Sequence, residues 1–175
     1  PLFYEATVLD GVTEQMEIAR DETFGPVVPV TAIRSEQEAI DLVGRKLLRD
    51  GGATVAAFVS DMRAVDAPLA NAGEELAVVR QALARALDEL VQCSTHLLTG
   101  ERRDPELVGA AAFDYMMLIG TVIGGWQLAR GALVAIDQLA AGGDKAFLGT
   151  QVVLAQFYAE HVLPRCIAHA ATVRA

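Results

Sequence analysis

Few side chains in this sequence have a type and spacing that could do chemistry. The segment Asp21-Glu22-Thr23-Phe24-Gly25-Pro26-Val27 sets a carboxylate two residues from an aromatic ring beside a Gly-Pro turn, and it reads like a loop that contacts a nucleotide cofactor. A carboxylate can accept from two neighbouring hydroxyls, and an aromatic face can orient a flat ring. Farther along, Asp114, Glu160, His161 and His169 are the polar candidates on otherwise apolar stretches. Asp114 suits a structural ion pair with Arg130 or Arg165 better than proton transfer. Glu160-His161 lacks the HExxH spacing of a zinc site and reads as a solvated helix face. His96 lies near a helix end, where the dipole explains it. Cys93 and Cys166 show no CxxC or Cys/His spacing, so both read as buried thiols. No catalytic residue and no metal ligand is assigned on these grounds.

The elements that must position these residues follow from periodicity. Tyr4 to Leu9 and Val27 to Ile33 are rich in valine, threonine and aromatics and are bounded by Asp10-Gly11 and Gly25-Pro26, which predicts two short strands. Pro29 makes the second an edge strand or a broken one. Ser35 and Glu38 have capping-box spacing, so a helix is expected from about Glu36 to Asp50-Gly51-Gly52, with Ala39, Ile40, Val43 and Leu47 as its stripe. A second is expected from Ala53 to Val65, burying Val55, Phe58, Val59 and Met62, with Pro68 ending the segment. From Glu74 to Leu98, the positions Leu76, Val79, Leu83, Leu87, Leu90, Ser94 and Leu97 keep the three-and-four spacing of an amphipathic helix. Asp104 as N-cap with Pro105 behind it starts a fourth, carried to Ala141 and stopped by Gly142-Gly143.

Asp144 caps a fifth helix running to Ala170, with Phe147, Val152, Leu154, Phe157, Tyr158 and Val162 as apolar contacts and Pro164 as a kink. Gly120, Gly124 and Gly125 beside Trp126 cost roughly 1 kcal/mol each relative to alanine, which predicts close approach of another helix backbone. The fold class that follows is mainly α: an antiparallel helical bundle of about five helices with a short N-terminal β/loop segment.

Composition narrows the partners. The 175 residues are 53% hydrophobic, enough for a substantial core. A net charge of −9 disfavours nucleic acid and anionic membranes, because phosphate binding needs surplus Lys and Arg. The mean hydropathy is +0.33, yet the longest uncharged run, Tyr115 to Ala129, is shorter than the roughly 20 apolar residues of a membrane span. With no secretory signal visible, a cytoplasmic location is the expectation. The chain opens on Pro1, so it is expected to be cut from something longer.

The run FYEATVLDGVTEQMEIARDETFGPVVPV, within Phe3 to about Glu38, resembles the C-terminal part of the catalytic domain of NAD(P)-dependent aldehyde dehydrogenases, where a strand ending in PTVL leads to M.I..EE.FGPV. Ala6 stands where proline is usual, and Asp21 replaces the first glutamate. The resemblance implies NAD(P) contacts: Glu22 matches the carboxylate on the nicotinamide ribose, and Phe24 the aromatic packed on the nicotinamide. The family's nucleophilic cysteine, its general-base glutamate and its dinucleotide-binding region belong upstream of this motif. Cys93 and Cys166 follow it and do not replace them. Glu22 and Phe24 therefore read as vestigial contacts, a surface carboxylate and a turn anchor.

From Ala39 onward the chain resembles the C-terminal end of acyl-CoA dehydrogenases, in the branch that includes the methylthiopropanoyl-CoA dehydrogenases. AIDLVGRKLLRDGG matches the end of the flavin-domain helices, while FDYMMLIGTVIGGWQLARGA and AQFYAEHVLPR match an accessory helical domain. The resemblance implies an FAD-dependent parent that dehydrogenates an acyl-CoA thioester, with a glutamate removing the α-proton. That glutamate belongs to a YEGT motif just before this helix, where aldehyde-dehydrogenase-like residues stand instead. Ala39 and Ile40 satisfy both patterns, which makes them the seam of a chimera-like sequence: a gene fusion, an assembly chimera or a rearranged frame.

The expected organisation is residues 1–38 as an aldehyde-dehydrogenase-like fragment, 39–72 as the end of the flavin-domain helices and a connector, and 73–175 as the accessory helical domain. The expected role is that of a non-catalytic module used for packing or oligomerisation, either as a homo-oligomer or as a subunit of a parent flavoenzyme, with no cofactor of its own. One alternative is part of an active FAD enzyme completed by missing chain or a partner, so whether the chain is itself an enzyme stays open. Another is a helical ligand-binding module, which a closed apolar cavity beside Trp126 would favour.

Overall fold

The structure, a computed structural model, describes residues 7–9, 16, 27–29, 47–48, 50–100, 104 and 106–175. The chain divides into two compact units, Pro1–Ala39 and Ile40–Ala175. In the first, β1 (Thr7–Leu9) and β2 (Val27–Pro29) pair in parallel, with Thr7 opposite Val27, Val8 opposite Val28 and Leu9 opposite Pro29. These are the described residues of the two expected strands, and the remainder of each lies outside the described residues. Pro29 falls at the end of β2, where its missing N–H interrupts little of the ladder.

The second unit is an all-α bundle of α1 (Ala53–Arg63), α2 (Asp66–Asn71), a 3-10 turn at Glu74–Leu76, α3 (Ala77–Gly100), α4 (Leu107–Ala140), α5 (Lys145–His161) and α6 (Arg165–Val173). This is the mainly α bundle expected from periodicity. The helix expected from Glu36 to Asp50 lies almost wholly outside the described residues, of which Leu47 and Leu48 are helical.

Local chemistry explains the ends. Asp50 accepts from the backbone N–H groups of Gly52 at 3.0 Å and Thr54 at 2.9 Å, and from the Thr54 hydroxyl, so it caps the start of α1 from just upstream of the N-cap Gly52. The chain can turn there because Gly51 and Gly52 take φ values of 65° and 83°. Pro68 does not end a helix as predicted. It sits at the third position of α2, a first-turn site whose N–H would have no intrahelical partner anyway. Asp104 caps the approach to α4 by accepting from Glu106 N at 3.0 Å, although the helix proper starts at Leu107. Asp144 caps α5 as predicted, accepting from Ala146 N and Phe147 N at 2.9 and 3.2 Å.

Pro164 does more than kink the last helix; it divides it. Tyr158 O accepts from both Val162 N and Leu163 N, and three-residue turns at Arg165, Cys166 and Ile167 restart the spiral as α6. Proline offers no N–H and crowds the carbonyl four residues back, so the regular ladder cannot pass.

The predicted inward face of α3 is buried throughout, from Leu76 and Val79 to Ser94 and Leu97. It packs antiparallel to α4 through Ser94 and Tyr115, and parallel to α5 and α6, as Gln156 on Glu75 O and Cys93 on Ala170 O show. The inner face of α4 is built mainly of small residues, Ala111, Ala112, Gly125, Ala129, Ala132 and Ala135, with Leu118 and Val122 between them. Small side chains let neighbouring helices approach closely. The glycine prediction needs correction on this point. A Cβ at Gly124 would meet the Tyr158 hydroxyl at 2.5 Å and one at Gly125 would meet Leu163 Cδ2 at 2.8 Å, so side chains fill the space instead of a helix backbone. Gly120 faces open space.

The inward face of α5 also differs from expectation. Leu148, Val152, Ala155 and Ala159 are buried, while Phe147, Leu154 and Phe157, predicted to be core contacts, are exposed. Hydrophobicity ran round both sides of this helix, and the side carrying Ala155 and Ala159 beside Leu148 and Val152 went inside, where its small residues allow close packing.

Candidate functional site

Glu22 and Phe24 lie outside the described residues. The chemistry that can be located is in the bundle, where helix pairing brings four groups of polar or aromatic side chains together. On α4 and α6, His169 Nδ1 donates to Asp114 Oδ1 at 2.7 Å, with both side chains about three-quarters buried. Asp114 was expected to pair with Arg130 or Arg165. α6 instead crosses the end of α4 so that His169 faces it, while Arg130 lies over the Trp126 ring at 4.9 Å.

Between α3 and α4, Ser94 Oγ donates to Leu90 O at 2.7 Å, which leaves it to accept from the Tyr115 hydroxyl at 2.8 Å. Burial pushes the Tyr115 phenol above its ordinary range, with the Ser94 bond working against it. Sequence reasoning missed this pair, although Ser94 is the one hydroxyl in a row of leucines and valines. Arg174, which caps the C-terminal end of α6, binds Glu89 of α3 at 2.7 Å and reaches Cys93 Sγ at 3.6 Å. Burial raises the Cys93 thiol despite the nearby guanidinium. Cys166 is pushed up to about 11 by burial. Both are free, buried thiols, as predicted, and a raised thiol is a poor nucleophile near neutrality.

Glu160 and His161 are both more than half exposed and 4.0 Å apart, and the His161 ring packs on Phe157 at 4.6 Å. They form part of the solvated face expected of them. Trp126 meets Phe58 edge-on at 5.6 Å, and its Nε1 is buried without a hydrogen-bond partner among the described residues. Trp126 lies outside the walls of the α1–α2–α3 groove and of the groove between α3 and the α5–α6 break.

Two of the bundle's grooves are lined wholly by described residues. One, of about 220 Å³ between α1, α2 and α3, is walled by Arg63 and Arg80, each tied to an aspartate, Asp88 and Asp66. The Arg80 bond holds the Asp66 carboxyl below its usual range. The other, of about 380 Å³ between α3 and the α5–α6 break, has Arg85 but also Glu89 and Glu160 on its rim. Neither suits a dinucleotide: the first is smaller than the ~300 Å³ at which ligand pockets usually begin, and the second is lined by two carboxylates that would repel a pyrophosphate. The described residues that line these two grooves thus do not fit FAD or NAD(P). Nor do the described residues bring any three His, Cys, Asp or Glu side chains together as a metal site.

Among the described residues one helix, Leu107–Ala140, is long and apolar enough to cross a membrane by length and composition. Its inner face is the seat of α3, α5 and α6, which fits the central helix of a bundle.

Fold and site together define an all-α domain whose internal polar groups are tied to one another across helix pairs. The chain belongs to the family described as acetyl-CoA dehydrogenase C-terminal like, which matches residues 52–175 and so covers α1 through α6. Residues 1–69 match the aldehyde dehydrogenase family, so the two resemblances seen in the sequence are both present and overlap across α1 and α2.

The chain is 34% identical over 158 residues to 3-methylmercaptopropionyl-CoA dehydrogenase of Ruegeria pomeroyi, covering 90% of this chain and 27% of that protein. It is 30% identical over 137 residues to the broad-specificity linear acyl-CoA dehydrogenase FadE5 of Mycobacterium tuberculosis, covering 73% of this chain and 22% of that one. A stretch of 41 residues, 23% of this chain, is 61% identical to a protein of Mycolicibacterium smegmatis named as a succinate-semialdehyde dehydrogenase, of which it covers 8%. The chain thus spans about a quarter of its acyl-CoA dehydrogenase relatives.

Proposed function

We propose that this chain is the helical C-terminal module of an acyl-CoA dehydrogenase-type flavoenzyme, non-catalytic by itself and used for packing or oligomerisation. The observation that carries the reading is the apolar exterior of a bundle whose core is already complete. Phe113, Phe147 and Phe157 remain 67%, 61% and 55% exposed while the inner faces of the same helices are fully packed. Large aromatic side chains left exposed on helices whose inner faces are packed fit a surface where another protein surface docks.

The polar side chains support the same role. A general base must reach its proton within hydrogen-bond distance, in surroundings that tune it. Asp114 and Glu89 are held by His169 and Arg174, and Glu160 stands in solvent. In this reading FAD and the acyl-CoA thioester belong to the rest of the flavoenzyme, in a cytoplasmic setting. NAD(P) belongs to the parent of the N-terminal segment, with Glu22 and Phe24 as its vestigial contacts. Residues 39–72 serve as connector and 73–175 as the accessory domain.

The test is the purified full chain, assayed for flavin by its visible spectrum and for acyl-CoA-dependent dye reduction. A colourless, inactive, folded chain is expected. Bound flavin with turnover would establish the alternative, an enzyme domain completed elsewhere.

A further inference from the structure

The break at Pro164 leaves hydrogen-bond acceptors without donors. In a continued helix Leu163 N would bond to Ala159 O, but it donates to Tyr158 O instead, and Pro164 has no N–H to offer Glu160 O. Among the described residues no other backbone or side-chain donor takes their place. Ala159 is only 2% exposed, so its carbonyl is a buried acceptor left unpaired, an uncommon state in a folded protein.

Ala159 and Glu160 both line the groove of about 380 Å³ between α3 and the break. That volume lies within the ~300–1,000 Å³ of small-molecule sites. Gln156 Nε2 donates to Glu75 O and Cys93 Sγ to Ala170 O, so α3 runs alongside α5 and α6 in the same direction. Gln81 therefore falls at the Ala159–Glu160 end of the groove, and Glu89 at the Cys166–Ile167 end, where Arg174 neutralises it. Between the two ends the walls are apolar, with Ala82, Ala86, Leu163 and the exposed Ile167.

Negative potential gathers at the first end. The C-terminus of α5 carries the negative pole of its helix dipole, and the Glu160 carboxylate stands there with the His161 ring 4.0 Å away.

We propose that this groove binds a small organic cation, with a primary ammonium group at the Ala159–Glu160 end and a short alkyl or aromatic body along Ala82, Ala86, Leu163 and Ile167. This site goes beyond the packing role given above and does not depend on it. An ammonium group has three donors and no acceptor, so it can serve the Ala159 carbonyl and the Glu160 carboxylate together. Arg85, the one cationic side chain lining the groove, lies partway along it and repels a second positive charge. The ligand is therefore a monoamine and not a polyamine.

The test is a titration of the isotope-labelled full chain, near neutral pH, with hexylammonium, and with hexan-1-ol and hexanoate as probes that share its body, followed by two-dimensional NMR. Saturable shifts are expected at the amides of Ala82, Leu163, Cys166 and Ile167, with a Kd on the order of 1 mM for so small a ligand. Hexan-1-ol should bind about fivefold more weakly, since it lacks the charge-assisted bond. Glu160→Gln should weaken hexylammonium about threefold, the effect of one exposed charge, and Arg85→Gln should tighten it by a similar factor. Ala82→Phe should fill the groove and abolish binding with the helical circular dichroism unchanged. If that variant fails to fold, the two charge variants still decide, because both side chains are exposed.

No saturable shift up to about 20 mM, well above that Kd, overturns the site. So do shifts centred elsewhere on the chain, hexan-1-ol binding as tightly as hexylammonium, or binding that neither charge variant alters. Hexanoate binding that Arg85→Gln removes overturns it in favour of an anion. The flavin and dye-reduction assays are read separately, so failure here and failure of the packing role are distinguishable.

Discussion

Asp114 and His169 stand 55 residues apart in sequence and 2.7 Å apart in space, and their contact is what ties α6 to α4 by polar means. Neither residue type is unusual on a helix, so both were visible as candidates, but their pairing depends on how α6 is aimed after Pro164. A double-mutant cycle with Asp114→Asn and His169→Ala should give a coupling of about 1 kcal/mol in urea unfolding, the upper end for exposed pairs, as suits a pair about three-quarters buried. Tyr115→Phe removes the donor to Ser94 at a cost of about 1 kcal/mol, read by the same unfolding curves.

The Cys166 thiol supplies a pH prediction. Its folded pKa, about 11, lies above the ordinary 9.0, so the folded state holds the proton more tightly. The stability it contributes is complete below pH 9 and is lost as pH rises toward 11, on the order of 2 kcal/mol. Cys166→Ala should flatten the alkaline limb of the stability profile. In the native state at neutral pH, both thiols should resist a thiol-specific chromogenic reagent.

Helix boundaries in this chain come from a few side chains acting on the backbone. Asp144 was legible as a cap because Asp followed a Gly-Gly stop, and its carboxylate accepts from two first-turn N–H groups. Asp144→Ala should lower stability by about 1 kcal/mol through fraying of α5, checked by thermal unfolding. The α3 stripe was legible too, since leucine spacing on an amphipathic helix leaves one choice of face. α5 was not, because apolar residues surround it and only packing against the alanine-rich face of α4 decides which ones go inside. Leu118, buried on that α4 face, should cost about 3–5 kcal/mol when cut to alanine, the range for a rigid core position.

At the scale of the molecule, the two-part character of the sequence corresponds to two family matches and two compact units. The helical fold was legible from its caps and periodicity. The exposed outer faces were not, because a helix that is apolar all round gives no sign in its own sequence of whether its second face meets its own chain or another. A fragment of residues 40–175 should therefore keep the helical circular dichroism and unfold cooperatively, since the bundle carries its own core. The decisive experiment is an equilibrium titration of the folded full chain with FAD, followed by turnover with a linear acyl-CoA and an electron-accepting dye. A helical module without a catalytic centre leaves flavin fluorescence unchanged and the dye oxidised. Stoichiometric flavin binding with acyl-CoA-dependent dye reduction would show instead that the chain is an enzyme.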